Sequence, residues 1–130
     1  MHDFRWVALV TIAVAVLHFV LAWNVGRART KYGIKAPAIA GNPDFERVFR
    51  VQMNTIETTL VFLPMLWLYA AYVDGMWAAG LGALWVAARI WYAAAYQQAA
   101  AKRGPAFGLS MFVFVVLTAG SAWGVIRGMM

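Results

Sequence analysis

Residues 45–69 read FERVFRVQMNTIETTLVFLPMLWLY, and their two halves suit different solvents. The second half is apolar enough to lie in lipid unaided. The first half carries Glu46, Arg47, Arg50, Gln52, Asn54 and Glu57 straight into that apolar run, with no turn residue between them. A charged side chain near the middle of a lipid-facing helix costs about 2.5–3.5 kcal/mol. One continuous helix of this sequence must therefore turn its polar stripe toward other protein or a water-filled cavity, and the chain must supply the helices that cover it.

The composition agrees. Of 130 residues, 64% are hydrophobic and 12% charged, against about 25% charged in an ordinary soluble domain. This is one domain's worth of chain with too few polar residues to cover a globule in water. The formal net charge of +6 does not read as a nucleic-acid-binding face. Six of the eleven Lys and Arg fall between Arg27 and Arg50, and Lys102 and Arg103 form a second group. Bases clustered between apolar runs are what membrane topology produces. The absence of cysteine excludes disulfides, thiolate metal ligands and a cysteine nucleophile, so any thiol chemistry uses an imported thiol. His2 and His18 are the only histidines, and no histidine–carboxylate group has metal-ligand spacing; no metal is expected.

The pattern predicts an all-α integral membrane protein, a four-helix bundle forming one domain over residues 1–130, with spans at about 6–25, 48–73, 76–98 and 107–126. The first run, about 20 residues, is long enough for ~30 Å of hydrocarbon. It is too long for a signal peptide and is followed by NVGRARTKYGIK, not a small-residue cleavage site, so it reads as a retained span. Asn42 as N-cap, Pro43 at the first helical position, and Asp44 and Glu46 in the first turn start a second helix. That helix should reach about Val73, a length of about 45 Å that overshoots the bilayer core by about 15 Å. Pro64 should kink it. Asp74-Gly75 reads as a tight turn, and Gly104-Pro105 as the stop signal of a third helix continuing to about Ala101.

Four spans place the first and third loops on one side, with Arg27, Arg29, Lys31, Lys35, Arg47, Lys102 and Arg103. The positive-inside rule assigns that side to the cytoplasm and both termini to the outside. The short Ala-rich chain, without an obvious retrieval signal, suggests a bacterial inner membrane.

Arg50, Asn54 and Glu57 are spaced i, i+4, i+7 and share one helical stripe. On the third helix Arg89, Tyr92, Tyr96 and Arg103 fall within about 80° of one another. Helices joined by a two-residue turn are antiparallel neighbours, so the two stripes reach similar depth on the basic side. Together they make a pocket of cations, a carboxylate, an amide and two phenols, suited to a small zwitterion: arginine pairs bidentately with carboxylates and Glu57 takes an ammonium group. Blander readings stand beside this one. Arg50 and Glu57 could pair along their own helix. Tyr92 and Tyr96 could be interfacial aromatics like Trp6, Trp23 and Trp77, Lys102 and Arg103 topology determinants, and Arg29 a positive-inside charge. The fourth span, FGLSMFVFVVLTAGSAWGVI, has few polar groups and reads as the wall of a lipid-facing groove.

FERVFRVQMNTIE resembles the second-helix signature of the MAPEG family, the membrane-associated proteins of eicosanoid and glutathione metabolism. The likeness extends to GRARTKYGIKAPAIAGNP and to ARIWYAAAYQQAAAKRG, similar to the corresponding segments of its microsomal glutathione transferase and leukotriene C synthase members, and so spans nearly the whole chain. The resemblance implies a homotrimer with glutathione between subunits near the cytoplasmic side. Arg50, Asn54, Glu57, Tyr92 and Tyr96 of one subunit would hold the tripeptide, Arg29 and Gln52 would reach it from the next, and Arg103 would activate the thiol. Gln52 lies about 200° around the helix from Arg50, which fits contributions from two subunits. Thr58 and Thr59 depart from relatives with an aromatic residue after the signature glutamate, and Pro64 comes later than in some.

The implied activity is a membrane-bound glutathione transferase acting on hydrophobic electrophiles, with glutathione-dependent peroxidase activity against lipid hydroperoxides. The alternatives are a non-enzymatic lipid-binding scaffold of the same fold, like the lipoxygenase-activating protein, and a small multidrug transporter using Glu57 as its carboxylate. The arginines on the same stripe repel the cationic drugs that such a transporter carries.

Overall fold

A computed structural model describes residues 3–130; His2 lies outside the described residues. The described residues form four long helices, α1 (Arg5–Tyr32), α2 (Pro43–Tyr72), α3 (Gly75–Gln98) and α4 (Gly104–Met129), with a 3-10 turn at Ala100–Arg103 between the last two. α1, α3 and the segment from the 3-10 turn through α4 are long and apolar enough to cross a membrane. α2 has the length, at 30 residues, but its N-terminal half is polar.

The helix boundaries follow local chemistry. α1 continues beyond the apolar run through its basic segment, because no residue breaks it before Gly33. There the backbone turns left-handed (φ 68°) and the Gly33 N–H caps the Arg29 carbonyl, a geometry that favours glycine. Arg29 and Lys31 in the last turn also suit the negative end of the helix dipole. α2 starts as its cap signal predicts: the Asn42 side chain accepts from the Asp44 N–H at 2.8 Å and the Phe45 N–H at 3.1 Å. α2 stays helical through Pro64. Val73 and Asp74 connect α2 to α3, and Asp74 caps α3 by accepting from the Trp77 N–H at 2.8 Å.

The third connection differs from expectation. α3 stops at Gln98, Ala99 is extended (φ −163°, ψ 135°), and the 3-10 turn follows. Gly104-Pro105 opens α4; it does not close α3. Proline's missing N–H is harmless in a first turn, where no intrahelical partner exists, so the same dipeptide that reads as a stop also serves as a start.

α2 and α3 form a central pair, and α1 and α4 each pack against both of them more than against one another. The core of the non-basic half holds Val7, Val14, Phe62, Leu66, Trp85, Val113 and Leu117, with Phe62 and Trp85 stacked at 3.9 Å between centroids. Polar bonds tie the helices where lipid offers none. The Trp67 indole N–H donates to Thr11 Oγ1 at 3.0 Å. The Ser121 hydroxyl donates to the Met65 carbonyl at 3.2 Å, one residue from Pro64. His18 Nε2 lies 2.8 Å from Thr59 Oγ1, whose own proton goes to the Thr55 carbonyl at 2.6 Å, so the imidazole donates. Large apolar side chains such as Phe19, Leu60, Trp77 and Phe112 point outward, as a lipid-facing surface requires.

α4 approaches α2 closely because two glycines face it. A Cβ on Gly124 would lie 2.7 Å from the Tyr72 carbonyl oxygen, and one on Gly120 would lie 2.4 Å from the Tyr69 ring. Small residues of this kind let membrane helices pack backbone to backbone. Gly124→Val should lower the thermal midpoint in detergent, because a fixed backbone atom blocks the added side chain, at a cost of about 1–3 kcal/mol. Gly108→Ala, with nothing within 4 Å of its Cβ, should leave the midpoint unchanged or raise it. Equal effects at the two positions would contradict this packing.

Candidate functional site

On the basic half of the bundle the polar stripes of α2 and α3 meet. Arg50 and Asn54 from α2, Tyr92 and Tyr96 from α3, Ala100, Ala101 and Arg103 from the 3-10 turn, and Gly104 and Phe107 from α4 line a cavity of about 490 Å³. That volume is in the range of small-molecule sites. The break in the helix at Ala99 folds Arg103 back toward α3. Its Nη1 donates to the Ala100 carbonyl at 2.9 Å, and its guanidinium carbon lies 5.4 Å from the Tyr96 ring centroid. Tyr96 meets Tyr92 edge-on at 5.5 Å, and Tyr92 leans on Phe107 at 6.1 Å.

The cavity has two arginines and no carboxylate in its lining. Among the described residues the ion pairs are Arg5 with Asp3 and Arg47 with Asp44. Arg50 and Glu57 therefore do not neutralise one another along α2, and the cavity's charges remain open to a ligand. Its electrostatics favour an anion.

Five of the residues singled out from the sequence, Arg50, Asn54, Tyr92, Tyr96 and Arg103, come together here. Three do not. Glu57 is exposed, one turn beyond Asn54, outside the cavity lining. Gln52 is half-buried on another face of α2, as its angular offset from Arg50 requires. Arg29 is occupied within its own chain: Nη1 donates to the Ala38 carbonyl at 2.7 Å and the Ile34 carbonyl at 3.4 Å, and the guanidinium carbon sits 5.1 Å from the Phe45 ring centroid. The two threonines that replace an aromatic position also have defined roles. Thr58 donates to the Asn54 carbonyl at 3.0 Å, and Thr59 joins α2 to α1 through His18. This part of the wall is turned into the bundle by hydrogen bonds.

Beneath the cavity lies Arg89, fully buried. Nη2 donates to Asn54 Oδ1 at 2.6 Å and Thr55 Oγ1 at 3.0 Å, and Nη1 to Ser110 Oγ at 3.2 Å. Its guanidinium carbon is 4.1 Å from the Tyr92 ring centroid. A buried ion without an opposite charge costs several kcal/mol, offset here by three hydrogen bonds and a ring face. The sequence places Arg89 on the α3 stripe that faces the pocket but gives it no ligand role of its own, and it does not single out Thr55 or Ser110. The readable signal was weak: Ser110 is a hydroxyl early in an otherwise apolar helix. Beside the lipid-facing groove expected of it, α4 supplies inward groups: Phe107 lines the cavity and Ser110 reaches Arg89, because α4 begins at Gly104, inside the site.

The MAPEG family model matches residues 7–123 of this sequence. The chain belongs to the MAPEG family. It is 40% identical to microsomal glutathione S-transferase 2 of Mus musculus over 95% of this chain and 84% of that one. An uncharacterised protein of Synechocystis is 50% identical over 92% of this chain and 87% of its own length. Leukotriene C4 synthase of Bos taurus is 32% identical over 74% of this chain and 64% of its length. As a MAPEG protein with three helices able to cross a membrane, it is a membrane protein, and the resemblance read from its second-helix signature holds.

The ring of Tyr96 holds the Arg103 guanidinium by its face, an interaction worth about 0.5–1 kcal/mol at an accessible site. Tyr96→Leu should therefore weaken binding of an anionic ligand by about two- to fivefold through loss of that face, and Tyr96→Phe by less. Isothermal titration of both variants tests this; an equal loss for Phe and Leu would assign Tyr96's role to its hydroxyl, which both variants lack.

Proposed function

We propose that this protein is a glutathione-using membrane transferase, which binds the tripeptide in the cavity between α2, α3 and α4 and conjugates it to a hydrophobic electrophile. The observation that carries this reading is the lining itself, with Arg50 and Arg103 unopposed by any carboxylate around about 490 Å³. Glutathione carries two carboxylates, one ammonium group and a thiol, so it is a net anion with an ionisable sulfur. The names of the similar proteins, glutathione S-transferase and leukotriene C4 synthase, point to the same chemistry.

In this reading Arg50 pairs with a ligand carboxylate, Asn54 and the phenols of Tyr92 and Tyr96 supply hydrogen bonds, and Glu57, one turn further along the stripe, takes the ammonium. Arg29, once released from the Ala38 and Ile34 carbonyls, and Gln52 serve the site of a neighbouring copy within a homotrimer. The site opens to the cytoplasm and both termini lie outside, in a bacterial inner membrane. No metal takes part.

Arg103 is the catalytic residue. A free thiol has a pKa near 8.5, so only a few per cent is thiolate at neutral pH. A guanidinium beside the sulfur favours the anion; a fall of about two units corresponds to ~2.7 kcal/mol. The thiolate lone pair then attacks an electrophilic carbon presented from the bilayer, forming the C–S bond as the leaving group departs or an epoxide opens and takes up a proton. With a hydroperoxide the thiolate attacks the terminal oxygen, forming the sulfenic acid as the O–O bond breaks and the alkoxide takes up a proton to leave as the alcohol; a second glutathione then condenses with the sulfenic acid to give the disulfide and water.

Titrating glutathione into detergent-purified protein should raise thiolate absorbance at neutral pH. Arg103→Leu should retain binding within several-fold but shift the pH–rate profile of conjugation upward by about one to two units. An unchanged profile would remove Arg103 from catalysis. Light scattering should give the mass of three chains; a monodisperse monomer with full activity would exclude a site shared between subunits.

A further inference from the structure

Arg89 is a fully buried cation among the described residues, and the function proposed above gives it no task. Its surroundings are polar but uncharged. α2 presents Asn54 and Thr55, α4 presents Ser110, and α3 presents the rings of Tyr92 and Trp85. From α1, His18 is engaged with Thr59. Arg89 Nε has no hydrogen-bond partner. A charge buried this way is costly unless paired, and a side chain kept only to pin helices together would be better served by an apolar residue or by a carboxylate opposite it.

Two features connect Arg89 to the cavity. Of the groups it touches, Asn54 and Tyr92 are also cavity lining. The guanidinium occupies Asn54 Oδ1, which leaves the amide's Nδ2 as the donor that this lining residue can offer a ligand. Ser110 does not depend on Arg89, because its hydroxyl already donates to the Phe107 carbonyl at 2.8 Å. We infer that Arg89 is a positioning residue for an anionic ligand: it turns the Asn54 amide so that its N–H groups face the cavity, seats the Tyr92 ring, and receives part of its missing negative charge from the bound molecule. The inference rests on the glutathione reading for the identity of that ligand.

This makes Arg89 a group retained at the expense of the empty protein's stability, and that sign can be measured. Arg89→Met removes the charge at similar length. Asn54→Asp places a carboxylate where the guanidinium already donates, keeping that contact. Arg89→Lys keeps the charge but lacks the planar fork that reaches α2 and α4 together. The full-length protein is purified in detergent and its thermal midpoint and glutathione affinity are recorded, with kcat and KM for conjugation. Without ligand, Arg89→Met and Asn54→Asp should hold or raise the midpoint. Both should lose most of the glutathione-dependent rise, with affinity weaker by about tenfold or more. Arg89→Met should raise KM for glutathione while kcat at saturation stays within about threefold, and Arg89→Lys should retain part of the response.

A lowered midpoint in Asn54→Asp, or unchanged glutathione affinity in folded Arg89→Met, would make Arg89 a structural pin and overturn the inference. If Arg89→Met does not fold, Asn54→Asp decides the matter alone. Wild-type protein that ignores glutathione would sink the transferase reading instead, and the direction of the Asn54→Asp midpoint would still judge whether Arg89 lacks a counter-ion.

Discussion

Lipid cannot solvate a polar group, and that constraint orders the molecule. A helix that carries Arg50, Asn54 and Thr55 toward the hydrocarbon is tolerable only if a neighbour covers the stripe. The neighbour is α3, brought alongside by a two-residue connection and bearing Arg89 and Tyr92 at matching depth. The guanidinium of Arg89 joins α2 to α3 and α4 through Asn54, Thr55 and Ser110. Polar groups therefore gather in one half of the bundle, while Phe62, Leu66, Trp85 and Leu117 fill the other. Outward faces stay apolar because lipid, unlike water, accepts them.

The charges divide by whether they are already satisfied. Arg47 is paired with Asp44, and Arg29 is spent on the carbonyls of the loop that follows α1. Both hold the connection between α1 and α2 in place. Arg50 makes no hydrogen bond or ion pair among the described residues, and Arg103 donates only to a backbone carbonyl in its own turn. Two cations without a carboxylate partner around one cavity leave its electrostatics favourable to an anion.

The connection between α3 and α4 does more than join helices. Had α3 run on through Arg103, the guanidinium would have continued along the axis away from the tyrosines. The extended Ala99 and the tight 3-10 turn return it over Tyr96 and start α4 at the cavity wall, so that Phe107 and Ser110 become part of the site.

Local physics made much of this legible in the sequence. Asn42-Pro43 marks a helix start because its side-chain and backbone geometry are self-contained, and the lengths of the apolar runs reflect a bilayer thickness that no tertiary contact alters. The shared stripe of Arg50 and Asn54, and that of Tyr92 and Tyr96, follow from 3.6 residues per turn. Tertiary structure decided the rest. Gly104-Pro105 is chemically able to end one helix or begin another, and only the packing of α4 chose. Glu57 shares the stripe of Arg50 and Asn54 yet stands outside the cavity, because a cavity's edge is set by the neighbouring helices and not by periodicity. Periodicity puts Arg89 on the stripe of Tyr92 and Tyr96, but its burial against Asn54, Thr55 and Ser110 exists only once α2, α3 and α4 are brought together.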